Sequence, residues 1–440
     1  MRFPALLVCL LAIDTHAQVR EWRVAHEREI LREFVDLLAL SNLAEDAPNI
    51  ERNATALKAM LERRGVVTRM LTREGAPPIV IGDLRSPDAI RTLAFYAHYD
   101  GQPVDESQWH SAPWTPVMRD AAGKDIADWT TAKTIDPEWR LYARSAGDDK
   151  APIIAMMAAL DAMRAAGKRP RFNLRFVFEG EEEAGSPHLS ELIQKYPDVL
   201  RPDAWIICDG PIHQTRRMQL AFGVRGVLSL DLTVYGPIKA LHDGHYGNWT
   251  PNPIVALAHL LTSMRDENGR ILIAGFYDNV IPPTDAERAA VAAMPPMEAA
   301  LRTEFQIAAT EGGDALLNER LMLPALNVSG IQSGQVGEKA SNTLQTSARA
   351  AIDFRLVPAQ TPDSVKTLVE KHLQTIGYTI VRDDPDAATR AAHAKIVKVR
   401  WGSGYAPART SLDLPLSREI ASLMTAAGHE PLRLPTMGGS

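Results

Sequence analysis

Apolar positions fall into two textures along this chain. Residues 22–41 (EWRVAHEREILREFVDLLAL) and 51–64 carry apolar side chains at helical spacing, and Gly65 stops the second run. Short, nearly continuous apolar runs follow at Ile79–Ile81, Leu93–Tyr96, Phe172–Phe178 and Ala204–Cys208, with a strong helical stretch at 151–166 that ends at Gly167. Strands apolar on both faces and alternating with helices predict an α/β domain around a covered, mostly parallel sheet. After about residue 216 the pattern changes. Leu220–Tyr235 partly alternates, as a half-exposed strand does; a helix fits 253–264; strands at 346–357 and 394–401 bracket a helix at 361–376. Residues 278–320, rich in Ala and Pro, predict further helices. This half reads as a second, α+β domain with an antiparallel sheet and helices on one side.

The run Phe172–Phe178 leads straight into EGEEEAGSP, Glu179–Pro187, where four of nine residues are carboxylates. Like charges crowded at the end of a core strand cost free energy unless a cation lies among them. Three other segments share the design: LAFYAHYDG with His98 and Asp100, SAGDDK with Asp148 and Asp149, and WIICDG with Asp209. In an open α/β sheet the carboxyl ends of the strands face one crevice. His98, Glu182, Glu183 and Asp209 are therefore expected to converge there, with Asp148 joining from the loop before the helix at 151. One histidine among several carboxylates suits zinc, manganese or cobalt. A carboxylate can bridge two such ions about 3.5–4 Å apart, an arrangement that activates water and polarises a carbonyl. Each segment alone has a plainer reading. HxD recurs by chance, DDK before a helix is favoured by the helix dipole, and EGEEE and CDG are ordinary turns. Four such strand ends in one chain make a metal site the expectation.

Composition narrows the picture. With 440 residues, 45% apolar and 23% charged, the chain can bury the cores of two domains. The net charge of −6 and the absence of a Lys/Arg-rich block exclude a basic nucleic-acid footprint. The opening MRFPALLVCLLAIDTHAQ sets a single Arg before a short apolar run and an A-x-A-like exit. This predicts a secretory leader over residues 1–17 and a periplasmic or secreted mature protein. The run is too short to span a membrane, and no other stretch approaches the roughly 18 apolar residues a span needs, so no membrane association is expected of the mature form. Cys9 falls in the leader, leaving Cys208 alone as a small core residue with no disulfide partner.

At these residues the chain resembles the dinuclear-zinc metallopeptidase family of carnosinases, nonspecific dipeptidases, glutamate carboxypeptidases and aminoacylases. The likeness runs over nearly the whole mature chain, through AHYDGQPVD (97–105), ARSAGDDK (143–150), EGEEEAGSP (179–187), CDGP (208–211), LHDGHYGN (241–248), DFRLVP (353–358) and GGS (438–440). The long EGEEE form is most similar to the dipeptidase branch. The resemblance implies a zinc-exopeptidase-like α/β catalytic domain over 22–215 and 406–440, interrupted at 216–405 by an α+β, ferredoxin-like lid through which a homodimer forms. It also implies two divalent metal ions, zinc or else manganese or cobalt. Carried over residue by residue, His98 and Asp209 bind one ion, Asp148 bridges both, and Glu183 binds the second. Glu182 becomes the general base, and Asp100 holds the His98 ring by a hydrogen bond. The Asp148–Asp149 peptide bond is expected to be cis. His242 matches a lid histidine that stabilises the oxyanion, in dimeric members from across the dimer. Arg355 matches a residue that grips the substrate carboxylate. Gly438, Gly439 and Ser440 match a loop lining the substrate end of the pocket, and Asn342 is expected to face substrate.

Three positions depart from the family pattern. Ala151 stands where DDKG has glycine, and Asp243 where LHSG has serine. The family's remaining metal-binding histidine follows the GGS loop by some tens of residues, whereas His372, His393 and His429 all precede it. The expectation is a C-terminally incomplete sequence, lacking that ligand and the last strand and helix of the catalytic domain. The implied activity is that of an exopeptidase cleaving dipeptides or the C-terminal residue of short peptides. Two other readings stay open: an N-acyl amino acid amidohydrolase with the same metal centre, and a non-catalytic peptide-binding remnant without the second metal site.

Overall fold

The computed structural model describes residues 18–439; the expected leader and Ser440 lie outside the described residues. The chain divides into two compact units, Met1–Pro211 and Ile212–Ser440.

In the first unit the strands are Val67–Leu71 (β1), Ile79–Leu84 (β2), Thr92–His98 (β3), Val117–Arg119 (β4), Arg140–Tyr142 (β5), Asn173–Glu179 (β6) and Ala204–Ile207 (β7). β4 and β5 form a separate hairpin, and the main sheet runs β1-β2-β6-β3-β7. β3 is parallel to both β6 and β7, while β1–β2 and β2–β6 are antiparallel. The sheet is therefore mixed, and its parallel half is the half that carries the acidic strand ends. The reason is local: residues 72–78 are too few for a crossover, so β1 and β2 pair as a hairpin. Both faces are covered, as the apolar runs predict. Phe176 and Phe178 face helices Glu27–Leu38, Ala47–Glu62 and Lys150–Ala165, and pack with Leu37, Leu57 and Met157. Val177 points the other way, onto Leu192 and Val199.

The second unit holds Gln219–Ala221 (β8), Gly223–Val224 (β9), Gly226–Tyr235 (β10), Leu241–His242 (β11), Ala325–Gln332 (β12), Thr343–Leu344 (β13), Ser347–Leu356 (β14), Thr379–Val381 (β15), Ile396–Tyr405 (β16), Ala408–Arg409 (β17) and Leu432–Leu434 (β18). Its main sheet runs β12-β14-β10-β16-β15, antiparallel except for β15–β16. Alternation sorts β14: Ala348, Ala350, Ile352, Phe354 and Leu356 are buried, and Arg349, Asp353 and Arg355 take the opposite face. The buried face packs on helices Pro253–Met264 and Pro362–Thr375 through Leu257, Leu261, Val365 and Val369. Both helices start at a side-chain cap followed by proline, Asn252–Pro253 and Thr361–Pro362. The Ala- and Pro-rich stretch forms short helices at Asp285–Ala292, Glu298–Glu304 and Leu317–Leu321.

Residues after 405 group with the second unit in this division, where β17 pairs with β9 and β18 with β8. Among the described residues no helix is long and apolar enough to cross a membrane.

Candidate metal centre

Because β6, β3 and β7 lie side by side and parallel, their C-terminal ends deliver His98, the Glu179–Glu183 segment and Cys208–Asp209 to one edge of the sheet. The His98 side chain is buried, and its Nε2 lies 2.8 Å from Asp148 Oδ1, 3.7 Å from Asp209 Oδ2 and 3.9 Å from Glu182 Oε2. Two sets of metal-competent atoms share His98: one with Asp148 and Glu183, the other with Asp149 and Asp209, each set falling within 4.8 Å. All four expected ligands and the expected base are thus brought together.

Asp100 does more than was expected of it. Its carboxylate accepts the backbone N–H of Glu182 at 3.2 Å and of Glu183 at 3.0 Å, fixing the turn that carries both glutamates. Its Oδ1 is 3.3 Å from His98 Nδ1, inside ion-pairing reach, but Nδ1 has no aligned hydrogen bond. Gln102 donates to Glu183 Oε2. Asn42 ties together the loops that carry His98 and Asp148: its Nδ2 donates to the Tyr99 carbonyl and to Ser145 Oγ, both at 2.8 Å, and its Oδ1 accepts Trp114 Nε1–H at 2.9 Å.

Asp149 is the site residue that motif matching passed over. The Asp148–Asp149 bond is cis. Asp149 stands at the start of helix Lys150–Ala165 yet its side chain caps nothing there; it is buried, and its Oδ2 accepts the backbone N–H of His98 at 3.2 Å. The doubled acid in DDK was the available signal, since a helix start needs only one. Lys150 is fully buried, with Nζ donating to the carbonyls of Leu37 and Leu40 at 2.9 and 3.2 Å. It docks the site helix onto the end of helix Glu27–Leu38.

The electrostatics ask for a cation. Burial, then the charges of Asp209, Glu183 and Asp100, push Glu182 up to about 7. Burial, then Asp209 and Asp148, push Asp149 up to about 8. Glu183 and Asp209 are raised as well, by burial and by neighbouring carboxylates. Burial alone would depress His98, but Asp100, Asp149 and Asp209 overcome it and hold the imidazole at about 10. Carboxylates this crowded resist ionisation by themselves, and divalent ions remove that penalty. One imidazole with five carboxylates is also a donor set that such ions accept. The residues fit the group. Cys208, half-buried beside them, is pushed up to about 12 by burial and by Asp149 and Asp209, so it stays a thiol.

The remaining predicted residues lie in the second unit. His242, 58% exposed at the side chain, pairs with Thr343 across a two-stranded ribbon that also brings up Asn342. Its Nδ1 accepts Gly244 N–H at 3.0 Å. Arg355 projects from the open face of β14 beside Gly439, where an added Cβ would come within 3.2 Å of Nη1. Gly438 lies against Leu321, and Ser440 falls outside the described residues.

The chain is also similar to known proteins. Residues 94–440 match Peptidase family M20/M25/M40. The chain is 27% identical over 350 residues to the Cys-Gly metallodipeptidase dug1 of Schizosaccharomyces pombe, covering 78% of this chain and 70% of that one. It is 29% identical over 308 residues to the Beta-Ala-His dipeptidase of Homo sapiens, covering 68% and 57%. The match thus spans somewhat more than half of that human relative's length. Among solved structures, an M20 family metallo-carboxypeptidase from Sulfolobus solfataricus superposes with a TM-score of 0.70 at 28% identity, over 94% of this chain and 86% of that one. Human carnosine dipeptidase 1 shares the fold, with a TM-score of 0.69 at 23% identity over 97% and 88%.

Proposed function

Because the chain belongs to peptidase family M20/M25/M40, we propose that it is a metal-dependent exopeptidase that hydrolyses dipeptides or removes the C-terminal residue of short peptides. The observation that carries this reading is the convergence of His98, Asp148, Glu183 and Asp209 around the free carboxylate of Glu182. Divalent ions bound there would supply an acidified water and a Lewis acid for the scissile carbonyl. His98, Asp148, Glu183 and Asp209 would hold those ions.

The chain's own groups do the rest. Glu182, at 33% exposure, is open enough to meet a water, and its Oε2 lies 3.9 Å from His98 Nε2 among the other donors. It takes the proton of the attacking water and passes it to the leaving amine. Asp100 holds Glu182 and Glu183 at fixed angles through their amides. With Nδ1 of His242 accepting a backbone N–H, a neutral ring carries its proton on Nε2, a donor suited to a developing oxyanion. Arg355 binds the free α-carboxylate, which confines cleavage to chain ends. Asn342, Gly438 and Gly439 are the further residues proposed to contact substrate.

Zinc is the ion proposed, with manganese or cobalt as substitutes, in a homodimer formed through residues 216–405 and exported by residues 1–17. A substrate panel tests the reading. Turnover of dipeptides that is lost when the amino end is acylated supports a dipeptidase. Hydrolysis of N-acyl amino acids without dipeptide turnover would replace it with the amidohydrolase, and no turnover together with fewer than two metal ions per chain would leave a peptide-binding remnant without the second metal site.

A further inference from the structure

A pocket of about 240 Å³ in the second unit is lined by three arginines, Arg225, Arg265 and Arg320, against a single carboxylate, Glu311. Arg225 stands just before β10 and is only 7% exposed. Its Nη2 donates to the Leu323 carbonyl at 2.9 Å, but its Nε is buried with no hydrogen-bond partner. Arg265 follows helix Pro253–Met264; its Nη2 pairs with Glu311 Oε2 at 2.7 Å, and its Nε is again buried and without a partner. Arg320 reaches the Asn268 carbonyl through Nη2 at 3.3 Å.

Gly269, with φ +78°, lets these groups gather. A Cβ there would stand 3.0 Å from Glu311 Oε2, 3.2 Å from Arg265 Nη2 and 3.6 Å from Arg320 Nη2. Glu311 is 61% exposed, so water screens the compensation it offers. Burial, with the neighbouring charge of Arg355, pulls Arg225 down to about 10, which still leaves it cationic at neutral pH. Three guanidinium groups converge on one pocket against a single exposed carboxylate, an excess of positive charge that an anion would offset.

We propose that this pocket binds a compact oxyanion, a phosphate or carboxylate group held by the forked donors of Arg225, Arg265 and Arg320. Guanidinium forks match the oxygens of either group. The volume is below that of ordinary small-molecule clefts, so the occupant is a free ion or the anionic tip of a small molecule. The pocket adjoins the terminal glycines: the Met437 carbonyl accepts Arg225 N–H at 3.2 Å, and Gly438 packs on Leu321, itself part of the lining. One source is therefore free inorganic phosphate, the other a side-chain carboxylate on a peptide.

Calorimetric titration of inorganic phosphate into the metal-loaded protein, at constant ionic strength, tests the site. Because phosphate also ligates metal ions, the site is identified by which substitution deletes it. Arg320→Gln and Arg265→Gln, both at partly exposed positions, are each expected to weaken one phosphate site by about tenfold or more, with partial recovery in Arg320→Lys. Melting curves establish that the variants are folded. In parallel, KM is compared for peptides ending in acidic and in neutral residues. A rise in Arg320→Gln confined to the acidic peptides assigns the pocket to a peptide carboxylate. Lost phosphate binding with KM unchanged assigns it to the free ion. Phosphate affinity and KM both unchanged in the two glutamine variants overturn the proposal, as does a wild-type protein that responds to neither probe.

Discussion

The carboxylate of Asp100 accepts the backbone N–H of Glu183 at 3.0 Å, so the residue two beyond the proposed ligand His98 also sets the position of the proposed ligand Glu183, in the turn that follows β6. This bond, with its companion to Glu182, links the ends of β3 and β6 into one rigid platform. Crowded carboxylates would otherwise splay apart.

Removing that link should loosen the ions before it alters the chemistry. Asp100→Ala is expected to lower metal affinity by about 10–100-fold, the usual effect of deleting a partner that orients ligands. Asp100→Asn, which keeps an acceptor for one amide but loses the charge facing His98, should fall between. Competition with a chelator while following metal release measures it, and an alanine variant that holds its ions as tightly as wild type would refute the role.

Glu182 should separate chemistry from binding. Glu182→Gln keeps shape and hydrogen-bonding capacity but cannot accept a proton. The expected result is a kcat lowered by about 10²–10⁴-fold with metal content per chain unchanged. Undiminished turnover would remove Glu182 as the base, and lost metal would make it a ligand instead.

The acidic site also sets a pH dependence for chelator-stripped protein. Unfolded Asp and Glu titrate near about 4, whereas folded Glu182 and Asp149 sit at about 7 and about 8. Folded pKa values above the unfolded ones mean stability that is full below about pH 4 and is lost as pH rises through 7–8. His98, at about 10 against about 6.5 unfolded, adds a contribution of the same sign, present below 6.5 and lost as pH rises through 10. Stripped protein should therefore melt at progressively lower temperature from about pH 6 to about pH 9. Metal-loaded protein, whose carboxylates stay ionised, should not, so the gap between the two widens with pH. A stripped-protein Tm that rises over this range would contradict the crowding.

How much of this was readable beforehand depended on whether a feature is local. The strands at His98, Glu179 and Ile207 announce themselves as nearly continuous apolar runs, although the last is only partly buried and Ile207 itself is exposed, and the acids at their ends stand out against that background. The antiparallel edge of the first sheet was not legible, since β1 and β2 have the same composition whichever way they pair. The exposed edge strand β12 escaped because ALNVSGIQ buries little and so shows no period. Asp149 was hidden by its neighbour: a helix start explains one acid, and only the pairing of its carboxylate with His98 N–H shows what the second does. Gln102 and Asn42 carried no signal, because their roles come from chain segments that meet only in the fold.

The glycine inside EGEEE is a packing requirement, and this can be tested without assaying activity. A Cβ on Gly180 would lie 2.4 Å from Tyr99 Oη, 2.5 Å from Tyr99 Cζ and 2.9 Å from Pro77 Cβ. Tyr99 cannot yield easily: it is fully buried in the core beneath the site, and its hydroxyl donates to the Pro78 carbonyl. Gly180→Ala is therefore expected to destabilise the first unit by about 1–3 kcal/mol, the usual cost of overpacking. Gly185 gives the contrast, since its φ of +85° strains an alanine but nothing lies within 4 Å of the added carbon. In a double-mutant cycle read by urea unfolding, Gly180→Ala should cost much less in a Tyr99→Ala background, because the ring it strikes is gone. Gly185→Ala should cost the same in both backgrounds. Strict additivity of Gly180→Ala with Tyr99→Ala would show that the clash is relieved elsewhere, and that the glycine serves the turn leading to Glu182 and not the core under it.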